Sequence, residues 1–314
     1  MNQHYKILLM AAFAIPVIES CSDTKKETSN AGIKIEYMDT TVKPGDDFNA
    51  YANGIWLKNN PVPATESRWG SFNEIQDRNL EKLKSIVNEV SSDKSAKKGS
   101  DRQLVGTFYR MALDSAKANK DGLAPIKPLQ DEINAVTNTD ELIKLMARFH
   151  KMGIPGGFGF YVTSDLKDSK KNTQYISQGG FNLPDRDYFF QPMHDSIRIK
   201  YAAHIIKMMQ IAAKSNPAVV TNPTQIFDLE KSLASGAMNA VERRDIKAQY
   251  NPMTYADLKT KYPNINWDLY FKELGAKPFN DVVVEQLKFV DNLNKMFKSL
   301  AIANWKEYMH WQLL

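Results

Sequence analysis

The sequence predicts a mainly α fold that carries one small β-hairpin. Three observations predict it. Apolar residues recur at helical spacing behind capping residues over most of the chain. One stretch, residues 157–177, switches to short aromatic and β-branched runs. The composition, 43% hydrophobic and 25% charged, is that of an ordinary globular protein. The 314 residues suffice for one large domain or two ordinary ones with packed cores.

The first apolar run, Ile7–Ile18, follows Lys6. It is too short to span a bilayer but suits the core of a signal peptide. Ser20 and Cys21 come next, and Cys21 is the 1 cysteine of the chain. The pattern resembles a bacterial lipoprotein signal, with Ser20 as the small residue before a lipidated thiol; Glu19 is unusual at its place. The competing reading is an ordinary secretory signal with an incidental cysteine. Residues 1–20 are therefore expected to be a signal peptide. Residues 21–35 are expected to be a lipidated Cys21 and a polar, flexible tether. Together they predict an exported protein of the bacterial cell envelope, held to the membrane through Cys21 on the periplasmic or surface side. A single cysteine allows no internal disulfide. No later segment reaches ~18 uninterrupted apolar residues, so no membrane span is expected.

Net charge is +5, from 41 Lys+Arg against 36 Asp+Glu. The lysine pairs at 25–26, 97–98 and 170–171 fall in separate loops. A nucleic-acid binder gathers its basic charge on one face, so that class is excluded.

The segment from Asn49 to Phe72 is too broken by Gly54, Pro61, Pro63 and Gly70 to be one helix. It is too rich in bulky apolar groups to be a solvated linker. At Ser71 a helix is expected, with Ser71 and Glu74 as a capping box and Ile75, Leu80, Leu83, Ile86, Val87 and Val90 as its stripe. Ser100 and Gln103 cap another, with Leu104, Phe108, Met111 and Leu113 along it. A third runs over 140–152 with Gly153 as its stop. Residues 157–163 and 173–177 read as a hairpin, closed by "NLPDRDYF" as a turn. Helices resume over 195–214, 223–241 and 267–274. "DVVVE" at 281–285 reads as one short strand, and the pattern is helical from Gln286 onward. The apolar ending "NWKEYMHWQLL" has no stop signal and predicts a chain cut within a domain.

Catalytic chemistry is hard to place. There are 5 histidines, scattered along the chain, and no H-E-x-x-H, the pattern that sets two imidazoles on one helix face. Glu307-x-x-His310 puts a carboxylate beside an imidazole, but a lone pair of this kind is expected to be a helix face rather than a metal site. His204, in an apolar helix, is expected to be structural. A Cys–His pair is ruled out by the position of Cys21, and no G-x-S-x-G or phosphate-binding glycine loop is present. "GIPGGFGF" is expected to serve hairpin geometry. Asp185 and Asp187 beside Arg186 read as an ion-paired turn, and "VERRDI" as an ion network at a helix end. No catalytic or metal-ligating residue is assigned.

"FNAYANGIWLKNNPVPATESRWGSF" (48–72), preceded by "KPGDDF", resembles the start of the ectodomain in the neprilysin and endothelin-converting-enzyme family of zinc metallopeptidases. "GGFNLPDRDYF" (179–189), "ERRDIKAQYNPMT" (242–254) and the terminal Tyr-x-x-Trp stretch match in the family's order. The resemblance implies a two-lobed exported zinc endopeptidase. Residues 36–72 would belong to the thermolysin-like catalytic lobe and its junction. Residues 73–314 would form a helical lid-type domain, truncated at its C-terminal end. The zinc motifs of the family lie in its second half, so no cofactor is expected in this chain, and the chain alone is expected to be inactive. Asn49-Ala50-Tyr51 spells a family substrate-binding motif, but inside the wrong segment, and its role is not carried over.

By the same resemblance Arg68 matches an arginine that binds the carboxylate end of the substrate, and Phe72 a residue lining the same pocket. A planar guanidinium fork suits a carboxylate; a junction salt bridge is the alternative for Arg68. A second family arginine would fall at Gln76, which leaves a single fork. The expected partners are peptide substrates, the membrane through Cys21, and the missing C-terminal catalytic half. The alternative function is a stand-alone cell-envelope lipoprotein whose helical domain binds peptides or a partner protein.

Overall fold

The computed structural model describes residues 34–216 and 222–314. The expected signal peptide and Cys21 lie outside them, as does nearly all of the tether. The chain divides into two compact units, one ending at Ala112 and one running from Leu113 to Leu314. Among the described residues no helix is long and apolar enough to cross a membrane.

The first unit holds α1 (Phe48–Asn59), α2 (Ser71–Ser92) and α3 (Asp101–Leu113). Helix α1 begins on Asp47, whose carboxylate accepts the Ala50 N–H at 2.9 Å. It runs straight through Gly54, where a chain break was expected. Gly54 serves close approach instead: a Cβ there would stand 2.7 Å from the Asp39 Cβ. Asp39 in turn accepts from Lys58 Nζ at 2.7 Å and from the Thr41 hydroxyl at 2.5 Å. Lys58 and then Thr41 hold the Asp39 carboxyl down at about 2.

The capping box expected at Ser71 does not form. Gly70 is the N-cap and gives no side-chain bond, and Glu74 is drawn away to accept the indole N–H of buried Trp56 at 3.1 Å. The box at Ser100 does form: its hydroxyl accepts the Gln103 N–H at 3.3 Å, and Gln103 reaches back to the Gly99 N–H at 3.0 Å. Helices α2 and α3 cross at Gly106, where any Cβ would run into the Val90 carbonyl. Of the expected stripes only Val90 is buried; Leu80, Leu83, Phe108 and Met111 stay exposed. The three helices of this unit give these residues no opposing layer within it.

The second unit opens with α4 (Ser115–Asp121), α5 (Lys127–Ala135) and α6 (Thr139–Lys151). Asn138 caps α6 by accepting the Glu141 N–H at 3.0 Å, and Gly153 follows at φ +76°. Strands β1 (Gly159–Ser164) and β2 (Asn172–Ser177) form the expected hairpin, with Gly159 opposite Ser177. "NLPDRDYF" is more than a turn, since its end forms the short α7 (Asp187–Phe190). Then come α8 (Asp195–Ser215) and α9 (Pro223–Ser235). Helix α9 stops at Gly236, short of the expected 241. Gly236 lies against a neighbouring helix so closely that a Cβ would be 2.8 Å from the Lys288 carbonyl.

The hairpin is part of a larger sheet. β3 (Pro252–Thr254) leads into α10 (Tyr255–Lys261) and α11 (Trp267–Leu274), then β4 (Asp281–Val284), α12 (Leu287–Ser299) and α13 (Ile302–Leu313). The order is β1-β2-β4-β3, with β4 parallel to β2 and antiparallel to β3. β4 is central and its Val282, Val283 and Val284 are fully buried, which is why a run of β-branched residues suits it. The core gathers Phe149 of α6, Phe158, Trp267 and Tyr270 of α11, Phe289 of α12 and Trp305 and Tyr308 of α13. Their burial is the main term holding the unit together.

Tyr308 clasps two glycine segments. Its buried hydroxyl accepts the Gly157 N–H at 3.1 Å and donates to the Gly180 carbonyl at 2.6 Å. Gly157 and Gly180 both have positive φ, +83° and +76°. A Cβ on Gly180 would lie 2.5 Å from both the Gly157 Cα and the Tyr308 hydroxyl. Tyr308→Phe should therefore cost about 1–3 kcal/mol, by leaving a buried donor and acceptor unpaired. Gly180→Ala should cost more, because strain adds to the clash. Urea denaturation checks both, and a Gly180→Ala midpoint equal to that of the unmutated protein would show that the loop relaxes freely.

Candidate functional site

Arg68 lies in the exposed loop between α1 and α2. No carboxylate among the described residues lies within ion-pair distance of it, so the expected salt-bridge alternative has no partner there. Phe72 is the second residue of α2 and is 89% exposed. The two sit four residues apart on one loop–helix corner. Neither lines the neighbouring cavity of about 550 Å³, whose walls include Tyr37, Tyr51, Glu74, Ile75 and Arg78. The Asn49-Ala50-Tyr51 triplet is helical, in α1, so it offers no strand to a ligand.

In the second unit the quoted motifs converge. "GGFNLPDRDYF" is pinned by a glutamate that sequence reasoning did not single out. Glu230 of α9 is fully buried and accepts from Tyr201 Oη at 2.7 Å, Asn182 Nδ2 at 2.9 Å and Trp311 Nε1 at 3.0 Å. The Asn182 N–H adds a fourth contact at 3.3 Å. Burial pushes the Glu230 carboxyl up, and the donors, Tyr201 first, pull it back. All of its partners are structural, so Glu230 has no lone pair turned to solvent for acid–base work. Apolar surroundings at a helical position, as in "FDLEKSLA", were the only sign of it in the sequence.

Beside this hub lies a cavity of about 480 Å³, with Arg186 from one motif and Glu242, Asp245, Ala248 and Asn251 from the next, together with Lys288. "VERRDI" is not an ion network. Glu242 accepts the Asn239 N–H at 2.8 Å and Asp245 the Lys247 N–H at 3.0 Å, so both carboxylates stabilise turns. Arg186 pairs with Asp187 at 3.8 Å, and Asp185 accepts the Asp187 N–H at 2.7 Å, which is the ion-paired turn expected there.

Among the described residues no three His, Cys, Asp or Glu side chains stand together as a metal cage. Glu307 accepts the Asn222 N–H at 2.6 Å, while His310 Nε2 lies 3.0 Å from Asn134 Oδ1. The pair is spent on separate architectural contacts. His204 is on the exposed side of α8, edge-on to Trp311. Burial lowers both His150 and His310 to about 4, with Lys306 adding to the effect at His310.

The family model described as "Peptidase family M13" matches residues 44–314. Endothelin-converting enzyme 1 of Homo sapiens is 24% identical over 291 residues, covering 88% of this chain and 37% of that protein. Neprilysin-3 of Drosophila melanogaster is 27% identical over 301 residues, covering 88% of this chain and 38% of that protein. The crystal structure of the Mycobacterium tuberculosis zinc metalloprotease Zmp1 in complex with an inhibitor superposes with a TM-score of 0.78 at 27% identity. That match covers 90% of this chain and 43% of the other. The chain thus spans less than half the length of these relatives.

The two depressed histidines set a pH dependence. The unfolded chain takes up these protons near 6.5 and the folded chain only near 4. Their contribution is present above pH 6.5 and is lost as pH falls toward 4, up to about 3 kcal/mol per ring. Glu230 and Glu307, both raised by burial, act in the opposite sense as pH rises past 4.5. An NMR titration of the ring protons should therefore place the His150 and His310 midpoints near 4. Midpoints near 6.5 would mean that water reaches the rings.

Proposed function

This chain belongs to peptidase family M13, as its N-terminal domain, and on that premise we propose that it is the substrate-enclosing part of an exported zinc metalloendopeptidase that acts on peptides. The observation that carries the proposal is the guanidinium of Arg68, unpaired among the described residues, next to an exposed Phe72 within a stretch matched by the family model. A buried or ion-paired arginine could not receive a ligand without first losing its partner; Arg68 loses nothing. Its planar fork would take the terminal carboxylate of a peptide, and Phe72 would pack against the adjacent side chain.

Among the described residues the side chains do not fit a catalytic zinc. The carboxylate and imidazole of Glu307 and His310 are both engaged elsewhere, and among the described residues no third donor joins them. No step of peptide hydrolysis is therefore assigned to these residues. Their work would be to bind, orient and enclose, with the metal supplied from a part of the enzyme outside this sequence.

Two measurements test this. Elemental analysis of the purified chain should find zinc well below one equivalent; tight one-to-one zinc would overturn the assignment of roles. In calorimetric titrations, Arg68→Met should weaken binding of peptides with a free C-terminal carboxylate about tenfold, or ~1.4 kcal/mol. Peptides amidated at the C-terminus should bind the variant and the unmutated chain alike. Equal affinity for the free acid in both proteins would remove Arg68 from the site.

A further inference from the structure

Within the second unit the order β1-β2-β4-β3 leaves β1 and β3 as edges of the sheet. Edge strands offer unpaired main-chain groups, and proteins usually blunt them with proline, lysine, bulges or short length. β3 fits that rule, being 3 residues long and starting at Pro252. β1 does not. It is 6 residues, Gly159–Ser164, with no proline or lysine and an unbroken register. Tyr161 is 41% exposed and Val162 53%.

The register tells which groups are free. Just past the strands, Asp165 lies opposite Lys171 in the same register, and its N–H donates to the Lys171 carbonyl at 2.8 Å. Hydrogen-bonded and non-bonded pairs alternate in an antiparallel ladder. Gly159, Tyr161 and Thr163 therefore point their N–H and C=O groups at β2. Phe160, Val162 and Ser164 point theirs away from it. The far side of β2 agrees: Ile176, opposite Phe160, turns its carbonyl outward to accept the Glu285 N–H at 2.9 Å. The outward groups of Phe160, Val162 and Ser164 have no hydrogen-bond partner among the described residues.

The side chains are set firmly around this edge. Phe160 packs edge-on to Tyr270 and Phe271 of α11, at centroid distances of 6.1 and 5.3 Å. On the opposite face Tyr161 stacks on Tyr175 at 5.2 Å, and its hydroxyl donates to Glu285 at 2.7 Å. The strand is thus held rigid while its outer ladder stays open.

We propose that the free edge of β1 captures an extended peptide as a fifth strand, through main-chain hydrogen bonds to Phe160, Val162 and Ser164. The ladder reads backbone and so accepts many sequences. Beside Val162 and Tyr161 it prefers β-branched or aromatic side chains, as cross-strand neighbours do. A second copy of the chain is the poorer occupant. Pairing two edges of this length would bury on the order of 500 Å², well under the roughly 1,200 Å² of a stable interface. The peptide class of the occupant rests on the proposed function; the edge geometry uses neither zinc nor Arg68.

The test uses the full chain and a fluorescein-labelled, capped octapeptide of alternating Val and Thr. Fluorescence anisotropy should show saturable binding. The same peptide N-methylated at alternate residues should bind at least tenfold more weakly. Hydrogen exchange should slow at Val162 and Ser164 on binding, while Tyr161 and Thr163 are protected already. Val162→Pro removes an outward N–H without touching the β2 ladder and should lower affinity at least tenfold at nearly unchanged thermal stability. Thr163→Pro breaks a bond to Thr173 and should destabilise the hairpin instead. Equal binding of the N-methylated peptide, or protection of Val162 and Ser164 in the free chain, would overturn the proposal. So would protection that rises with protein concentration alone, which means self-pairing. Arg68→Met should leave this binding intact, so a failure at β1 and a failure at Arg68 are told apart.

Discussion

The second unit depends on one hydroxyl. Tyr308, near the end of the sequence, ties the loop entering β1 to the loop leaving β2. Only glycine fits on both sides of the clasp, because the two backbones meet there with φ values of +83° and +76°. Burial raises the Tyr308 phenol far out of its ordinary range, so it stays neutral and keeps its proton for the Gly180 carbonyl. A charged phenolate could not donate. The mouth of the hairpin is thereby fixed to α13, and the sheet inherits its position from that helix.

Glu230 makes a second tie of the same kind. It gathers donors from α8, from the "NLPDRDYF" segment and from α13, elements far apart in sequence. A buried carboxylate is expensive unless it is hydrogen-bonded several times over. Here the acceptors are filled, so the group specifies one arrangement of three elements rather than adding net stability. A chain without internal disulfides needs such devices to hold long connections in place, and both ties fall on the stretches that resemble the peptidase family.

Much of this architecture is local and hence legible. Gly153 follows the end of α6, and α8 and α11 fall where helical spacing put them, because such signals are read within a few turns of chain. What escaped was set by distant partners. Gly54 looked like a break until Asp39 stood across from it. Ser71 and Glu74 looked like a capping box until Trp56 took the glutamate. The strand at 281–285 was legible and is β4, but its place in a sheet was hidden because β3 is 3 residues long and pairs across the sequence with β4. Glu230 carried no motif at all. Arg68 and Phe72 were legible only through resemblance, since an exposed arginine after a proline-rich loop has no periodic or spacing signal of its own.

The polar groups divide into two populations, and the division bears on function. Those inside the second unit are consumed by the fold: Glu307, His310, Glu242 and Asp245 each hold a backbone or amide group and retain little freedom to act on a ligand. Among the groups without a partner in the described residues are the guanidinium of Arg68 and the outer main-chain groups of β1. Both are complementary to a polypeptide, one to its carboxylate end and the other to its backbone. Neither supplies a general base that could activate water. On the proposed function each would recognise a feature that all peptides share, and bond cleavage would fall to other groups. Rigid placement matters more than affinity in such a role, because a peptide held in one extended register presents its bonds in one orientation.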